Sequence, residues 1–225
     1  YDEFIPKTGI NSICKFLINE KDLKTNTKIT KAQNIDNKWI LEDENHKIYD
    51  DFDLLFITIP APQILELQIE LPNDFKEKLS NIKYNSIFSM ILYSNEDIKL
   101  NENKLYENSD IENIVNNSKK YGYKDFSSYV VHLSKEFTNG VNHKTKEEIY
   151  ELFIENLDDE TKKDLNKFTI IPHLWKYATA KSSLDMPYFF NEEKNIGICG
   201  DYFNHNNIEA ALLSSELLGN KILNI

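Results

Sequence analysis

The stretch from Asn195 to Ile225, NIGICGDYFNHNNIEAALLSSELLGNKILNI, reads as a short buried strand (Ile196, Ile198, Cys199) ending in Gly200-Asp201, then a loop, then a helix from about Ile208. Ile208, Ala211, Leu212, Ser215, Leu218, Gly219 and Ile222 keep near-helical spacing and predict the inward face of that helix. Asn206 or Asn207 caps it, and Glu209 falls in its first turn, where a negative charge suits the macrodipole. A strand that runs into a helix aims free N–H groups and a positive helix end at whatever lies past the strand. Asp201 stands beside that end, placed to accept hydrogen bonds from ligand hydroxyls. As pattern alone, the segment serves equally to close an ordinary α/β domain.

The strand before it, His173-Leu174-Trp175-Lys176-Tyr177-Ala178, is the second chemical candidate. Period-two alternation places His173, Trp175 and Tyr177 on one face, with Leu174 and Lys176 on the other. Three rings with polar edges line a flat ligand pocket if that face borders a cleft, and a half-buried sheet face if it does not. Each polar edge needs a partner when buried, which favours a wet cleft over a dry core.

Toward the N-terminus, Thr8 caps a helix carrying Ile10, Ile13, Cys14 and Leu17 on one face. Strands are expected about Thr27–Thr30, Lys38–Leu41 and Asp53–Ile59, with Asp43–His46 as a turn and a proline stop at Pro60. From Pro62 to about Lys181 the texture changes. A helix around Asn73–Leu79 leads to a strand at Ser86–Tyr93. Residues Asn95–Lys120 are rich in Asn, Lys and Glu and read mostly as loop, with one weak strand near Ile111–Val115. Asp125–Ser134 alternates as a strand, with Tyr129, Val131 and Leu133 on one face. Thr145-x-x-Glu148 is a capping box opening a helix with Ile149, Leu152 and Phe153 inward. Together these make an antiparallel sheet with helices on one side.

The chain has 225 residues, 40% hydrophobic and 28% charged, the composition of a globular protein able to bury a core. Its net charge of −11 argues against a nucleic-acid partner or an anionic membrane surface. No apolar run reaches the length of a membrane span, and no secretory segment opens the chain. Cys14 and Cys199 lack metal or redox spacing, so a reduced, cytoplasmic compartment is expected. No Arg occurs, which removes any bidentate guanidinium clamp for a phosphate or carboxylate. None of the five histidines has zinc-ligand spacing, and no nucleophile elbow or P-loop is present. A start at Tyr1 without Met fits a fragment.

Taken together, these segments resemble the flavin-dependent amine oxidases, in particular the renalase-like FAD-dependent oxidoreductases. Members of that family end in a strand, Gly-Asp, a loop and a Val/Ile-Glu-Gly-Ala helix start, matched here by Gly200-Asp201 and Ile208-Glu209-Ala210-Ala211. Their Gly-Met-x-x-Leu helix is matched by Gly9-Ile10-Asn11-Ser12-Ile13. Their strand ending Ala-Val-Pro-Ala-Pro-Gln is matched by Thr58-Ile59-Pro60-Ala61-Pro62-Gln63, and their His-x-Trp-x-Tyr-Ala strand by His173–Ala178. The resemblance implies FAD as cofactor, with the backbone of Ile29 at the adenine and Pro60 near the flavin. It puts Gly200-Asp201 at the ribityl-pyrophosphate region and the helix start, Asn207, Ile208 and Glu209, under the pyrimidine end of the flavin. His173, Trp175 and Tyr177 fall on the flavin side of a substrate domain that binds a small molecule.

The implied fold is α/β and α+β. It is the remainder of a Rossmann-like FAD-binding domain (residues 1–61 and 190–225) with an inserted antiparallel-sheet substrate domain (residues 62–189). The Gly-x-Gly-x-x-Gly turn that opens such flavoproteins does not occur between Tyr1 and Ile225. The chain is therefore expected to be a truncated portion that binds FAD weakly or not at all by itself. The implied activity is hydride transfer from an amine or a dihydronicotinamide-like ring to flavin and then to oxygen, with no side chain as obligatory acid or base. The alternative is a cofactor-free binding or scaffold protein that keeps the fold.

Overall fold

A computed structural model of the protein describes residue 9 and residues 11–18, 23–122 and 124–223. The expected cap Thr8 and the apolar Ile10 lie outside the described residues. Helix α1 (Asn11–Leu17) leaves exposed Cys14 and Leu17, two residues of the face read from its spacing. Strands β1 (Ile29–Ile35), β2 (Lys38–Asp43) and β3 (Ile48–Phe52) follow as an antiparallel meander. Its turns rest on Asp36, Asn37 and His46 at positive φ, residue types that tolerate the left-handed region better than most. Asp43 organises the second turn. Its Oδ1 accepts from the N–H groups of Asn45 (2.8 Å) and Lys47 (3.0 Å), and its Oδ2 from the Tyr49 hydroxyl (3.0 Å).

Strand β4 (Leu55–Ile57) stops before Pro60, which precedes α2 (Ala61–Glu66); β5 (Gln68–Ile69) then pairs parallel with β1. Helix α3 (Asn73–Ser80) leads into β6 (Tyr84–Ser94). The stretch read as loop is more regular than its composition suggested: α4 (Glu102–Leu105), β7 (Ile111–Asn116) and α5 (Asn117–Tyr121) occupy it. Its asparagines act as caps, since the side chains of Asn101 and Asn116 accept from Lys104 N–H and Lys119 N–H. Strand β8 (Ser127–Leu133), helices α6 (Lys135–Val141), α7 (Lys146–Glu155) and α8 (Asp159–Leu165), and β9 (Thr169–Ala180) complete the insert. The Thr145–Glu148 capping box opens α7 as expected. All pairings in this sheet, ordered β7-β8-β6-β9, are antiparallel.

The chain then returns through β10 (Phe189–Asn191), β11 (Ile196–Ile198) and α9 (Ile208–Leu223). Strand β11 pairs parallel with β4, Gly197 opposite Phe56, in a sheet ordered β10-β11-β4. The last strand thus joins residues 55–57 and not the antiparallel sheet. The apolar core divides in the same way. Ile82 and Ala180 belong to the cluster around β4, β11 and Trp39, whereas Phe88 and Leu174 belong with Met90, Val131, Ile149 and Phe153. The core boundary therefore falls inside the residue 62 and 189 limits expected for the insert.

The face of α9 differs from the one read off its spacing. Ala210, Ser214 and Leu218 are buried, while Ile208 is 73% exposed and Leu212 56% exposed. The reason is Gly197: a Cβ there would lie 2.8 Å from Leu218 Cδ2, so the helix closes on the sheet over a residue without a side chain. That contact sets the helix rotation, and the longer apolar residues are turned outward.

Candidate functional site

Because β4 and β11 run parallel, Pro60 and Gly200-Asp201 emerge at the same end of neighbouring strands. Cys199 N–H donates to the Ile57 carbonyl (3.2 Å), and the Tyr202 hydroxyl donates to the Ile59 carbonyl (3.3 Å). The structure thus brings two of the expected segments together. Glycine at 200 is required by the chain itself, since a Cβ there would sit 2.8 Å from Tyr202 Cε1. Asp201 is half-buried, and among the described residues its carboxyl takes only its own backbone N–H; burial pushes its pKa up. A partly desolvated carboxylate with no donor beyond its own backbone N–H is a group that a ligand hydroxyl satisfies.

The helix start is built as the sequence suggested, and the cap is resolved. Asn207 Oδ1 accepts from Ala210 N–H (2.8 Å), while Asn206 Nδ2 instead donates to the Ala180 carbonyl (2.8 Å). Ile208 and Glu209 N–H, at the open end of the helix, find no acceptor among the described residues. At the end of β4, Ala61 N–H donates to the Tyr84 hydroxyl (3.4 Å), whose pKa burial pushes up to about 12.

Ile29 lies elsewhere, in the meander. It pairs with Asp43, and β5 reaches only Lys31 and Ala32, so the other backbone edge of Ile29 is unpaired by strand. No hydrogen bond among the described residues joins it to Pro60 or Gly200.

On β9, Leu174 pairs with the buried Phe88 and packs into the helix-covered core, so His173 and Trp175 face the other way. Their rings meet edge-on at 4.2 Å, and Trp175 is 52% exposed. Tyr177 does not stay with them. Trp175 stands opposite Ile87 but Thr179 opposite Asn85, an irregularity that places extra residues in β9 and ends the strict alternation. Tyr177 instead meets the Tyr84 ring edge-on at 5.5 Å. It lines a cleft of about 420 Å³ with Pro62, Leu65 and Lys176.

Two residues of this face escaped the sequence reading. Ser89 of β6 stands between His132 of β8 and His173 of β9 in the strand register, and its Oγ lies 2.8 Å from His132 Nδ1. The signal was available: if Tyr129, Val131 and Leu133 face inward, His132 faces outward with His173. Among the described residues no group of acidic, Cys and His side chains is placed to hold a metal ion, and no helix is long and apolar enough to cross a membrane.

No protein-family model matches the chain. Over 230 residues it is 27% identical to mouse renalase, covering 94% of this chain and 66% of renalase. In fold it is similar to a putative protoporphyrinogen oxidase from Exiguobacterium sp. 255-15, with a TM-score of 0.62 at 12% identity over 97% of this chain and 52% of that one. It is also similar to putrescine oxidase solved with bound putrescine, with a TM-score of 0.60 at 9% identity over 96% of this chain and 53% of that one. The chain therefore spans 66% of the length of renalase and about half of either oxidase. The mixed architecture, with its antiparallel insert, is that of these oxidases. By sequence over nearly its whole length the chain is similar to renalase, and in fold to these two oxidases, so its resemblance to the renalase-like FAD-dependent oxidoreductases is borne out.

Proposed function

We propose that residues 1–225 are the flavin- and substrate-facing portion of an FAD-dependent oxidoreductase of the amine oxidase/renalase-like type. The reaction is hydride transfer from an amine or a dihydronicotinamide-like ring to flavin and on to oxygen. One observation carries the reading: Pro60 and Gly200-Asp201 meet at one end of two parallel strands, beside a half-buried carboxylate whose only donor among the described residues is its own backbone N–H. Residues 1–61 and 190–225 serve the cofactor, and residues 62–189 the substrate. The two thiols, Cys14 exposed and Cys199 buried, are free, which suits a reduced cytoplasm.

FAD fits the residues present in part. Asp201 would accept from the hydroxyls of the ribityl chain, and the free N–H groups at the start of α9 would meet the electron-rich end of the ring. Ile29 offers an unpaired backbone edge to the adenine. Among the described residues β4 is an edge strand of its sheet, paired only with β11. That leaves room beside β4 for a dinucleotide-binding unit carrying the pyrophosphate turn. When bound, FAD supplies the hydride acceptor. The chain's own part is positioning: Trp175 offers a flat face to a substrate ring, and His173 a polar edge. The putrescine seen in the oxidase of similar fold is consistent with a small amine as substrate.

A second reading has support of its own. The hydroxyls of Tyr84 and Tyr202 already engage Ala61 N–H and the Ile59 carbonyl, backbone groups at the strand end that a flavin would approach. A cofactor-free binding protein keeps such internal bonds. Titrating FAD against the fluorescence of the purified chain separates the readings. Weak quenching that Asp201→Ala weakens further supports a partial flavin site. No quenching at any concentration, with or without Asp201, favours the cofactor-free protein. Saturation at low micromolar flavin would show that the pyrophosphate turn is not needed.

A further inference from the structure

The slip between β6 and β9 has a second effect. On a regular strand Lys176 and Tyr177, as neighbours, point to opposite faces. Here both line one cleft, because residues 176–178 of β9 stand against Ser86 alone, between the pairs Ile87–Trp175 and Asn85–Thr179. Bulges re-aim side chains in this way and are over-represented next to active sites. Polar bonds hold this one. Ser86 N–H donates to Asn139 Oδ1 (3.0 Å), Ser86 Oγ to the Lys176 carbonyl (3.1 Å), and Asn142 Nδ2 to Ser86 Oγ (3.3 Å). Asn139 lies in α6 and Asn142 caps its end, so the cleft opens on the helix-covered side of the sheet, away from His173 and Trp175.

The cleft, of about 420 Å³, is within the range of small-molecule pockets. Leu79 and Ile82, both buried, and Leu65 of α2 supply apolar lining. Over the whole chain acidic residues outnumber basic ones 37 to 26, yet this cleft is lined by Lys83 and Lys176 and by no carboxylate. Neither lysine forms an ion pair among the described residues. Lys83 Nζ donates once, to the neutral carbonyl of Ser80 (2.8 Å), which leaves free donors on both ammonium groups.

We propose that this cleft is a second small-molecule site, which takes an amphipathic anion: an apolar body carrying a single carboxylate. The body covers Leu65, Leu79 and the Tyr177 ring, and the carboxylate meets the two lysines. A polyphosphate suits it less, because further charged oxygens would be pressed against leucine side chains. Glu66 stands outside the lining but, after burial, is the group that pushes the Tyr177 pKa up, so its charge opposes an anion there. The site needs neither flavin nor the ring face of β9, and so goes beyond the proposed reaction.

1-Naphthoate and its uncharged counterpart 1-naphthalenemethanol, each followed by equilibrium dialysis against the whole chain, test the site. The carboxylate is expected to bind at least about fivefold more tightly than the alcohol, and to weaken as salt is raised. Lys83→Gln and Lys176→Gln should each weaken the carboxylate roughly three- to tenfold, the size of one charge-assisted hydrogen bond partly open to water, and leave the alcohol within about twofold. Both lysines are exposed, so neither change empties a core. Glu66→Gln should tighten the carboxylate. Equal binding of alcohol and carboxylate overturns the proposal, as does naphthoate binding that neither lysine substitution alters. Binding abolished by Trp175→Ala also overturns it, since the ligand would then occupy the opposite face of the sheet, and so does the absence of naphthoate binding in the millimolar range.

Discussion

Trp175→Ala is the perturbation that separates a ligand-facing ring from a structural one. A tryptophan side chain buries up to about 250 Å² when fully covered. Trp175 is 52% exposed, so roughly half of that area, on the order of 100 Å², is withdrawn from water by the fold. At about 25 cal/mol per Å² this is worth about 2.5 kcal/mol, an upper bound because unfolded chains already bury part of their apolar surface. A cost of about 1–2 kcal/mol is therefore expected, with no cavity contribution because water fills the space. Trp39 is the internal control. It is 1% exposed, and its Nε1 donates to the carbonyls of Lys194 (2.8 Å) and Asn195 (3.0 Å). Trp39→Ala should cost the roughly 3–5 kcal/mol typical of a buried aromatic. Urea denaturation of the two variants, with unchanged slopes, measures both costs. If Trp175→Ala loses 3 kcal/mol or more, matching the control, then Trp175 is core and its place in a binding face is refuted. If it is a binding face, the same variant should weaken a flat aromatic ligand by roughly 1–3 kcal/mol, by analogy with base–aromatic stacking.

Asp43→Ala removes the acceptor for two turn N–H groups and the Tyr49 hydroxyl, and should lower the thermal midpoint. Desolvation opposes the ionised form of Asp43, but hydrogen bonds from Lys47, Asn45 and Tyr49 win and hold its pKa below the usual value. A depressed folded pKa gives stability that is present above the unfolded carboxylate range and lost as pH falls through the folded value. The gap between wild type and Asp43→Ala should therefore narrow in acid, and a gap that widens refutes the assignment. Asp201→Asn should do the opposite. Burial raises the Asp201 pKa, so its ionised form is a burden above that raised value and none below the unfolded one. The variant should be more stable than wild type at neutral pH, with the gain vanishing in acid, and a loss at pH 7 would mean the carboxylate has a protein donor beyond its own backbone N–H. Gly197→Ala places a Cβ 2.8 Å from Leu218 Cδ2 and 2.9 Å from Phe56 Cδ1. Overpacking of this kind costs about 1–3 kcal/mol in a denaturation curve, and a neutral result would mean that α9 is not seated on this glycine.

Local pattern was enough to read several features from the residues. The strand at Ile196–Ile198, the helix from Ile208, the proline stop after β4 and the Thr145–Glu148 capping box each depend on interactions a few residues apart. The inward set Tyr129, Val131 and Leu133 was equally legible, because alternation on a strand paired on both sides is enforced by the pleat. The family resemblance rested on the same short segments. What spacing left open was decided by contacts between residues far apart in the chain. Which stripe of α9 is buried depends on where the sheet lacks a side chain, and Gly197 lies 21 positions before Leu218. Alternation on β9 ends after Trp175 because its pairing with β6 slips, a property of the pair that β9 alone does not encode. Only pairing of β6 with both β8 and β9 sets Ser89 between two histidines. Likewise, Pro60 and Asp201 become one site only through the parallel pairing of β4 and β11, which spans some 140 residues of chain. Sequence determines a residue's local conformation and its polarity; the partner that a strand or helix meets across the fold decides which side chains share a site.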